Sequence, residues 1–219
     1  MSRRILSSHV DEDIMDEVMK MTMKVGTGLV STKEIAKRLG FSEPVIFAHF
    51  KTKRDLMDKT FEYCWKPFVN DNFFDVGPGL PSDRDFEFYK PYILKSLSYK
   101  KQLVYAQHYL ASNYCNEGVV ERTWAPTRKY FISVFKGFEP AIPDEDCDFI
   151  ARVCVSFRVN ISCLFILKEF EPTDRNLKSA FTIIDEGLVQ CIGGYRPEKL
   201  AQIRLMQANR FLKDKEGQK

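Results

Sequence analysis

Chemistry in this sequence has few candidate carriers. Its three histidines, His9, His49 and His108, stand apart from one another, and six cysteines (Cys64, Cys115, Cys147, Cys154, Cys163 and Cys191) lie at long spacings without a CxxC pair. Neither a zinc knuckle nor a compact disulfide framework follows from such spacing. The cysteines are expected to be reduced, buried thiols, since free cysteine is among the most buried residue types. His108 and Cys115 form the nearest approach to a nucleophile and its base. Seven residues apart on one helix, they lack an orienting third group. With no P-loop, GxSxG, HExxH or dinucleotide fingerprint and no outstanding carboxylate pair, the reading is no enzyme, no catalytic residues, no metal site and no cofactor.

A different chemistry is concentrated in residues 31–56, STKEIAKRLGFSEPVIFAHFKTKRDL. Between Ser31 and Arg54 the basic residues Lys33, Lys37, Arg38, Lys51, Lys53 and Arg54 are opposed only by Glu34 and Glu43, a local surplus of four positive charges in a chain of net charge +3. Thr52 can cap a helix whose first turn presents Lys53, and a helix amino terminus with a lysine beside it suits a phosphate.

Elements that would position these groups are legible around them. Ser31 followed by Glu34 reads as a capping box in which the hydroxyl accepts from the N–H three residues on and the glutamate reaches back. Ile35 and Leu39 share a face, and Gly40 can end the helix in the left-handed conformation. Ser42 can cap a second, short helix with Pro44 in its first turn. Its stripe of Ile46 and Phe50 can meet Ile35, Leu39 and Phe41 across the Gly40-Phe41 corner, which is helix-turn-helix logic. Helical spacing then turns Pro44, Val45 and Ala48 away from the seam, with Glu43, Phe47 and His49 on its flanks, so these become the groove-side candidates.

This order of features resembles the DNA-binding domain of the TetR (tetracycline repressor) family. That family runs from a Thr/Ser-rich start through Ile-Ala, a Gly-Val-Ser corner and a Leu-Tyr-x-His/Tyr-Phe recognition helix to a Lys-x-x-Leu exit. STKEIA, GFS, IFAHF and KRDL supply the same order and spacing, and the close likeness covers about residues 10 to 60. The resemblance implies phosphate contacts at Lys33, His49 and Lys53, base reading by Glu43, Pro44, Val45 and Phe47, and Ser42 within the same DNA-facing set. Two positions depart from the pattern. Phe47 lacks the hydroxyl of the usual Tyr, and Ala48 replaces a polar, basic or Trp side chain. Base reading is therefore expected to rely on Glu43 accepting from a cytosine amino group and on Val45 or Pro44 packing against thymine methyls.

The rest of the chain reads as helical, for sustained period-two alternation and Asn-Gly or Asp-Gly hairpins are missing while apolar residues recur at helical spacing. The expected fold is all-α: a three-helix, homeodomain-like head at residues 1–60 and a larger helical effector-binding and dimerisation domain at 61–219. Helices are expected at about 10–24, 83–99, 100–115, 117–138, 144–170, 173–192 and 197–212, with another starting near Lys53, and Pro91 and Pro126 should kink or divide theirs. A loop is expected over NDNFFDVGPGLPSD.

Residues 144–170 are apolar on nearly every side, so that helix must be buried almost all round. The resemblance pairs it and its successor with twofold mates, which places Phe149, Val153, Phe157, Ile161, Leu164, Phe181, Ile184 and Leu188 at a homodimer interface; burial within a monomer would satisfy the same pattern. The family plan also implies a small-molecule effector site, for which Tyr92, Tyr105, His108, Tyr109, Trp124 and Phe131 are the candidates. Aromatic residues of this kind equally make ordinary core. A twofold dimer would address a pseudo-palindromic operator. No apolar run approaches the roughly 20 residues of a spanning helix, and the amino terminus turns acidic before a signal-peptide core forms, so a cytoplasmic protein without membrane contact is expected. The resulting function is transcriptional regulation by repression; the alternative is a helical interaction protein whose head has lost its operator.

Overall fold

The computed structural model describes residues 8–70 and 86–193. Among these the secondary structure is entirely helical. In order it comprises α1 (Ser8–Val25), a 3-10 turn (Thr27–Leu29), α2 (Thr32–Leu39), α3 (Glu43–His49), α4 (Lys53–Val69), α5 (Phe86–Ser98), α6 (Lys100–Leu110), α7 (Glu117–Phe138), α8 (Asp144–Ile166) and α9 (Asp174–Gly193). The expected helix at 197–212 and most of the expected loop after Val69 lie outside the described residues.

Two compact units share these elements. The first takes in residues 8–70 and 96–125, the second residues 86–95 and 126–193. In the first unit α1, α4 and α6 pack on one another, and α2 and α3 form a corner held against α1. Ile14, Val18 and Met19 of α1, Leu56, Met57 and Phe68 of α4, and Leu103, Tyr105 and Tyr109 of α6 make the buried centre. Apolar positions three and four apart supply these faces, so each helix brings a stripe to the same core.

Local chemistry sets the boundaries. Gly26, at φ 74°, follows the last residue of α1 and ends that helix. α2 ends in a Schellman motif, with Gly40 at φ 71° and ψ 24° and the Phe41 N–H donating to Ala36 O at 2.8 Å. α8 stops four residues earlier than its apolar pattern. Lys168 takes φ 62° and the Glu169 N–H returns to Leu164 O at 3.0 Å, a left-handed ending that composition does not advertise because no glycine is present. α6 likewise closes at Leu110, since residues 111–116 turn on Ser112 and Asn116 side-chain bonds. Pro91 and Pro126 sit inside α5 and α7 without dividing them.

In the second unit α8 packs on α9, while Phe86 and Tyr89 of α5 contact Phe181 at ring distances of 6.0 and 5.3 Å. Arg158 of α8 donates to the Tyr92 carbonyl at 3.5 Å, and burial pushes its guanidinium down to about 10. α8 corrects the expectation about apolar runs: it is long and apolar enough to cross a membrane by length and composition. Arg152 and Arg158 interrupt its apolar run, which is why a search for unbroken stretches passes over it. The side of α8 that faces inward carries Ile150, Ala151, Val155, Val159 and Cys163.

A candidate DNA-binding surface

The α2–α3 corner is built as its residue types require. Ile35 and Ile46 are fully buried and Phe50 nearly so, which closes the seam between the two helices. The Ser31 hydroxyl accepts from the Glu34 N–H at 3.3 Å. The second half of the expected capping box is missing, however: Glu34 turns along the helix and accepts from Arg38 Nε at 3.0 Å. Arg38 also reaches Glu17 of α1 at 3.2 Å, and these two carboxylates hold its guanidinium above its ordinary range. Arg38 thereby ties α2 to α1, with Glu34 as its second carboxylate partner.

Ser42 occupies the N-cap position of α3 with extended backbone but makes no side-chain capping bond. It is exposed, as are Pro44, Phe47 and Ala48, and Val45 is half-exposed. Phe47 is 45% exposed. These residues form one continuous outward surface on a helix whose opposite side is pinned by Ile46. Lys33 projects from the first turn of α2. At α4 the Thr52 hydroxyl accepts from the Asp55 N–H at 3.0 Å, and Asp55 reaches back to the Lys51 N–H at 2.8 Å, so this helix start is capped reciprocally. Lys53 leaves from that turn with its Nζ 5.2 Å from the centre of the Tyr114 ring.

Two of the expected DNA-facing side chains are engaged within the fold. Glu43 accepts the Thr32 hydroxyl at 2.5 Å through one carboxylate oxygen. His49 differs more: its side chain is only 5% exposed and its Nδ1 lies 2.5 Å from Asp11 Oδ1 on α1. The imidazole faces the first helix. An aromatic ring on the flank of a short helix is drawn into the available apolar contact, and Asp11 supplies the polar partner that a buried imidazole nitrogen needs.

The structure also identifies participants that spacing could not. Thr32 and Asp11 carried no assigned role, Arg54 counted only toward the basic surplus, and Tyr114 fell near the end of the helix expected at 100–115. Arg54 donates to the carbonyls of Asn113 and Tyr114 at 3.1 and 3.4 Å.

The residues expected around an effector divide between the units. Tyr105, His108, Tyr109 and Trp124 belong to the first, Tyr92 and Phe131 to the second. Tyr105 donates to Met57 O at 2.7 Å and Tyr109 to Asp58 Oδ1 at 2.6 Å, so both hydroxyls fasten α6 to α4. Burial, foremost, raises both phenols above their usual range. His108 is exposed, with its ring beside Gly26. Trp124 is buried, Tyr92 lies 5.8 Å from Phe88, and Phe131 lies 5.6 Å from Phe135.

Of the residues expected at a dimer interface, Phe149, Val153 and Phe157 are 67%, 48% and 45% exposed, and Ile161 and Leu164 are partly covered. These positions recur every three or four residues and so form one stripe along α8. Phe181 is half-buried against Tyr89. The side chains of Ile184 and Leu188 lie outside those described.

Residues 14–60 match the family model for bacterial regulatory proteins of the tetR family. The chain carries a tetR-family head. The match starts within α1 and ends in α4, so it encloses the whole α2–α3 corner. The fold is similar to solved structures over most of the chain as well. A TetR family transcription regulator from Marinobacter aquaeolei VT8 superposes with a TM-score of 0.64 at 15% identity, covering 81% of this chain and 94% of that one. A TetR-like transcriptional regulator from Rhodococcus sp. RHA1 gives 0.61 at 15% identity, over 86% and 99%. A tetR-family transcriptional regulator from Streptomyces coelicolor gives 0.58 at 14% identity, over 90% and 88%. No curated protein matches the sequence. The tetR-type head is thus followed by a helical carboxyl-terminal part, a fold shared with these solved structures.

Proposed function

We propose that this chain is a transcriptional repressor that binds a pseudo-palindromic operator as a homodimer and leaves it when a small, largely apolar effector binds. Residues 1–60 act as the DNA-reading domain and 61–219 as the effector-binding and dimerisation domain. The observation that carries the reading is the outward face of α3. Ser42, Pro44, Phe47 and Ala48 are exposed beside half-exposed Val45, on a helix locked from behind by fully buried Ile46. Lys33 and Lys53 leave the first turns of the neighbouring helices, where amide dipoles add to the attraction for phosphate. Phosphate contacts set the register, and α3 then discriminates by apolar contact with thymine methyls, with the second oxygen of Glu43 as an acceptor for cytosine.

The exposed stripe of α8 supports the dimer, for a second copy would cover the same residues by twofold symmetry. A dimer addresses half-sites about 34 to 36 Å apart or a multiple of that spacing. An effector acts by stabilising a dimer whose heads are wrongly spaced, which requires different affinities for the two states. The protein works in the cytoplasm, needs no cofactor and no membrane, and catalyses no reaction.

A mobility shift with DNA from immediately upstream of its own gene tests the reading. A shift that weakens with salt and is lost in Lys53→Ala is expected; no shift at low salt from any upstream fragment overturns it. A second reading, an interaction protein with a head that has lost its operator, is favoured by one observation: Glu43 and His49 are both engaged internally. Retrieval of a protein partner with no DNA retention decides for it. Stabilisation against heat by small apolar molecules tests the effector.

A further inference from the structure

The amino terminus of α4 is fastened to the turn after α6 by a set of contacts that core packing does not require. Tyr109 donates to Asp58 Oδ1, Asn116 Nδ2 donates to Asp58 Oδ2 at 3.2 Å, and the Asn116 N–H donates to the Tyr109 hydroxyl at 3.2 Å. Asp58 is therefore satisfied on both oxygens, and residues 109–116 are held at the second turn of α4. One turn earlier, Arg54 donates to the carbonyls of Asn113 and Tyr114. The ring of Tyr114 then lies under two cations, with Lys53 Nζ 5.2 Å and Arg54 Cζ 5.9 Å from its centre.

Arg54 is committed to the turn through its bonds to the two carbonyls. Lys53 has no such commitment. Its ammonium rests over the aromatic face, which attracts a cation electrostatically without supplying a lone-pair acceptor for its N–H donors. A lysine in solvent samples many rotamers and loses that freedom when it meets an anion. We propose that Tyr114 is a positioning residue: its ring holds the Lys53 ammonium in place at the start of α4, ready for a DNA phosphate. The inference rests on the DNA-binding reading above and assigns a role to a residue outside the head. It also makes the turn at residues 111–116 part of the DNA-binding apparatus.

The test uses the full chain and a duplex of mixed sequence, since phosphate binding is independent of sequence, with fluorescence anisotropy read over a series of salt concentrations. Tyr114→Leu keeps apolar volume without the aromatic face, and Tyr114→Phe keeps the face without the hydroxyl. Tyr114→Leu is expected to weaken binding about two- to fivefold, the factor that corresponds to an exposed cation–π contact. Its salt slope should be unchanged because no charge is removed, and Tyr114→Phe should bind as the native chain does. Lys53→Ala should reduce the slope by about one per bound protomer. In that background Tyr114→Leu should have no further effect. Native or tighter binding by Tyr114→Leu overturns the inference, and so does an equal loss with and without Lys53, which would mark a merely structural role. No salt-dependent binding by the native chain overturns the DNA reading and this inference together, whereas native binding with a silent Tyr114→Leu overturns the inference alone.

Discussion

Replacing Phe149 by Ala should dissociate the proposed homodimer while leaving each chain folded. Phe149 is 67% exposed in the single chain, and Val153 and Phe157 lie on the same stripe with about half their surfaces uncovered. Full burial of a large apolar side chain is worth about 1.5 to 3 kcal/mol. Two-thirds of the upper figure, reduced for the β-carbon that alanine retains, leaves about 1.5 kcal/mol at Phe149. A twofold interface contains the residue twice, so the dimer loses about 3 kcal/mol, or roughly a hundredfold in dissociation constant. The fold itself should barely notice, because removing an exposed side chain leaves no cavity. Sedimentation velocity over a range of concentrations reads the dissociation constant, and thermal unfolding checks the fold. A native chain that stays monomeric at high micromolar concentration refutes the reasoning, as does a Phe149→Ala dimer as tight as the native one.

Three further substitutions probe the head and its support. Gly40→Ala should cost about 1 kcal/mol of stability in denaturant unfolding, because φ 71° is strained for any residue with a β-carbon even where the surroundings are open. Tyr109→Phe removes the donor to Asp58 and should cost about 1.5 to 3 kcal/mol, the range for a hydrogen bond to a charged group; an unchanged melting temperature would show the α4–α6 latch to be dispensable. His49→Gln should leave the salt slope of DNA binding untouched, because the imidazole faces Asp11; a slope reduced as in Lys53→Ala would return His49 to the phosphate surface.

Much of the head was legible in the sequence, and for identifiable reasons. Caps and corners are short-range devices whose signals lie within four residues, as at Ser31, Gly40 and Thr52, and the seam of Ile35, Ile46 and Phe50 follows from helical period alone. Side-chain direction was less legible. His49 stands on a helix flank, where period permits either the groove or the protein, and Asp11, 38 positions earlier, decides it. Glu34 and Ser42 show the same limit: the residue type was right for a cap, but a competing partner or an exposed rotamer left the capping bond unmade.

Longer-range organisation was least legible. The helix expected at 100–115 carried no signal that α1 and α4 would be what it packs against. Tyr105 and Tyr109 read as pocket aromatics because a phenol in a helical segment suits a ligand or a core equally, until its hydroxyl is seen to reach Met57 O and Asp58. α8 was expected to be buried almost all round, but an apolar pattern does not by itself separate that from burial on one side. In the single chain one side faces the unit's interior and the other, through Phe149, Val153 and Phe157, faces out.

The claim that α3 reads DNA is tested most directly by selecting from a random duplex pool with the full chain and measuring the affinity of the enriched sequence against mixed-sequence DNA at one salt concentration. The account predicts two inverted half-sites and a preference of about a thousandfold or more, reduced by Val45→Ser or Glu43→Ala at particular base steps. An unenriched pool, or an enriched sequence bound equally well by both substituted chains, would contradict it.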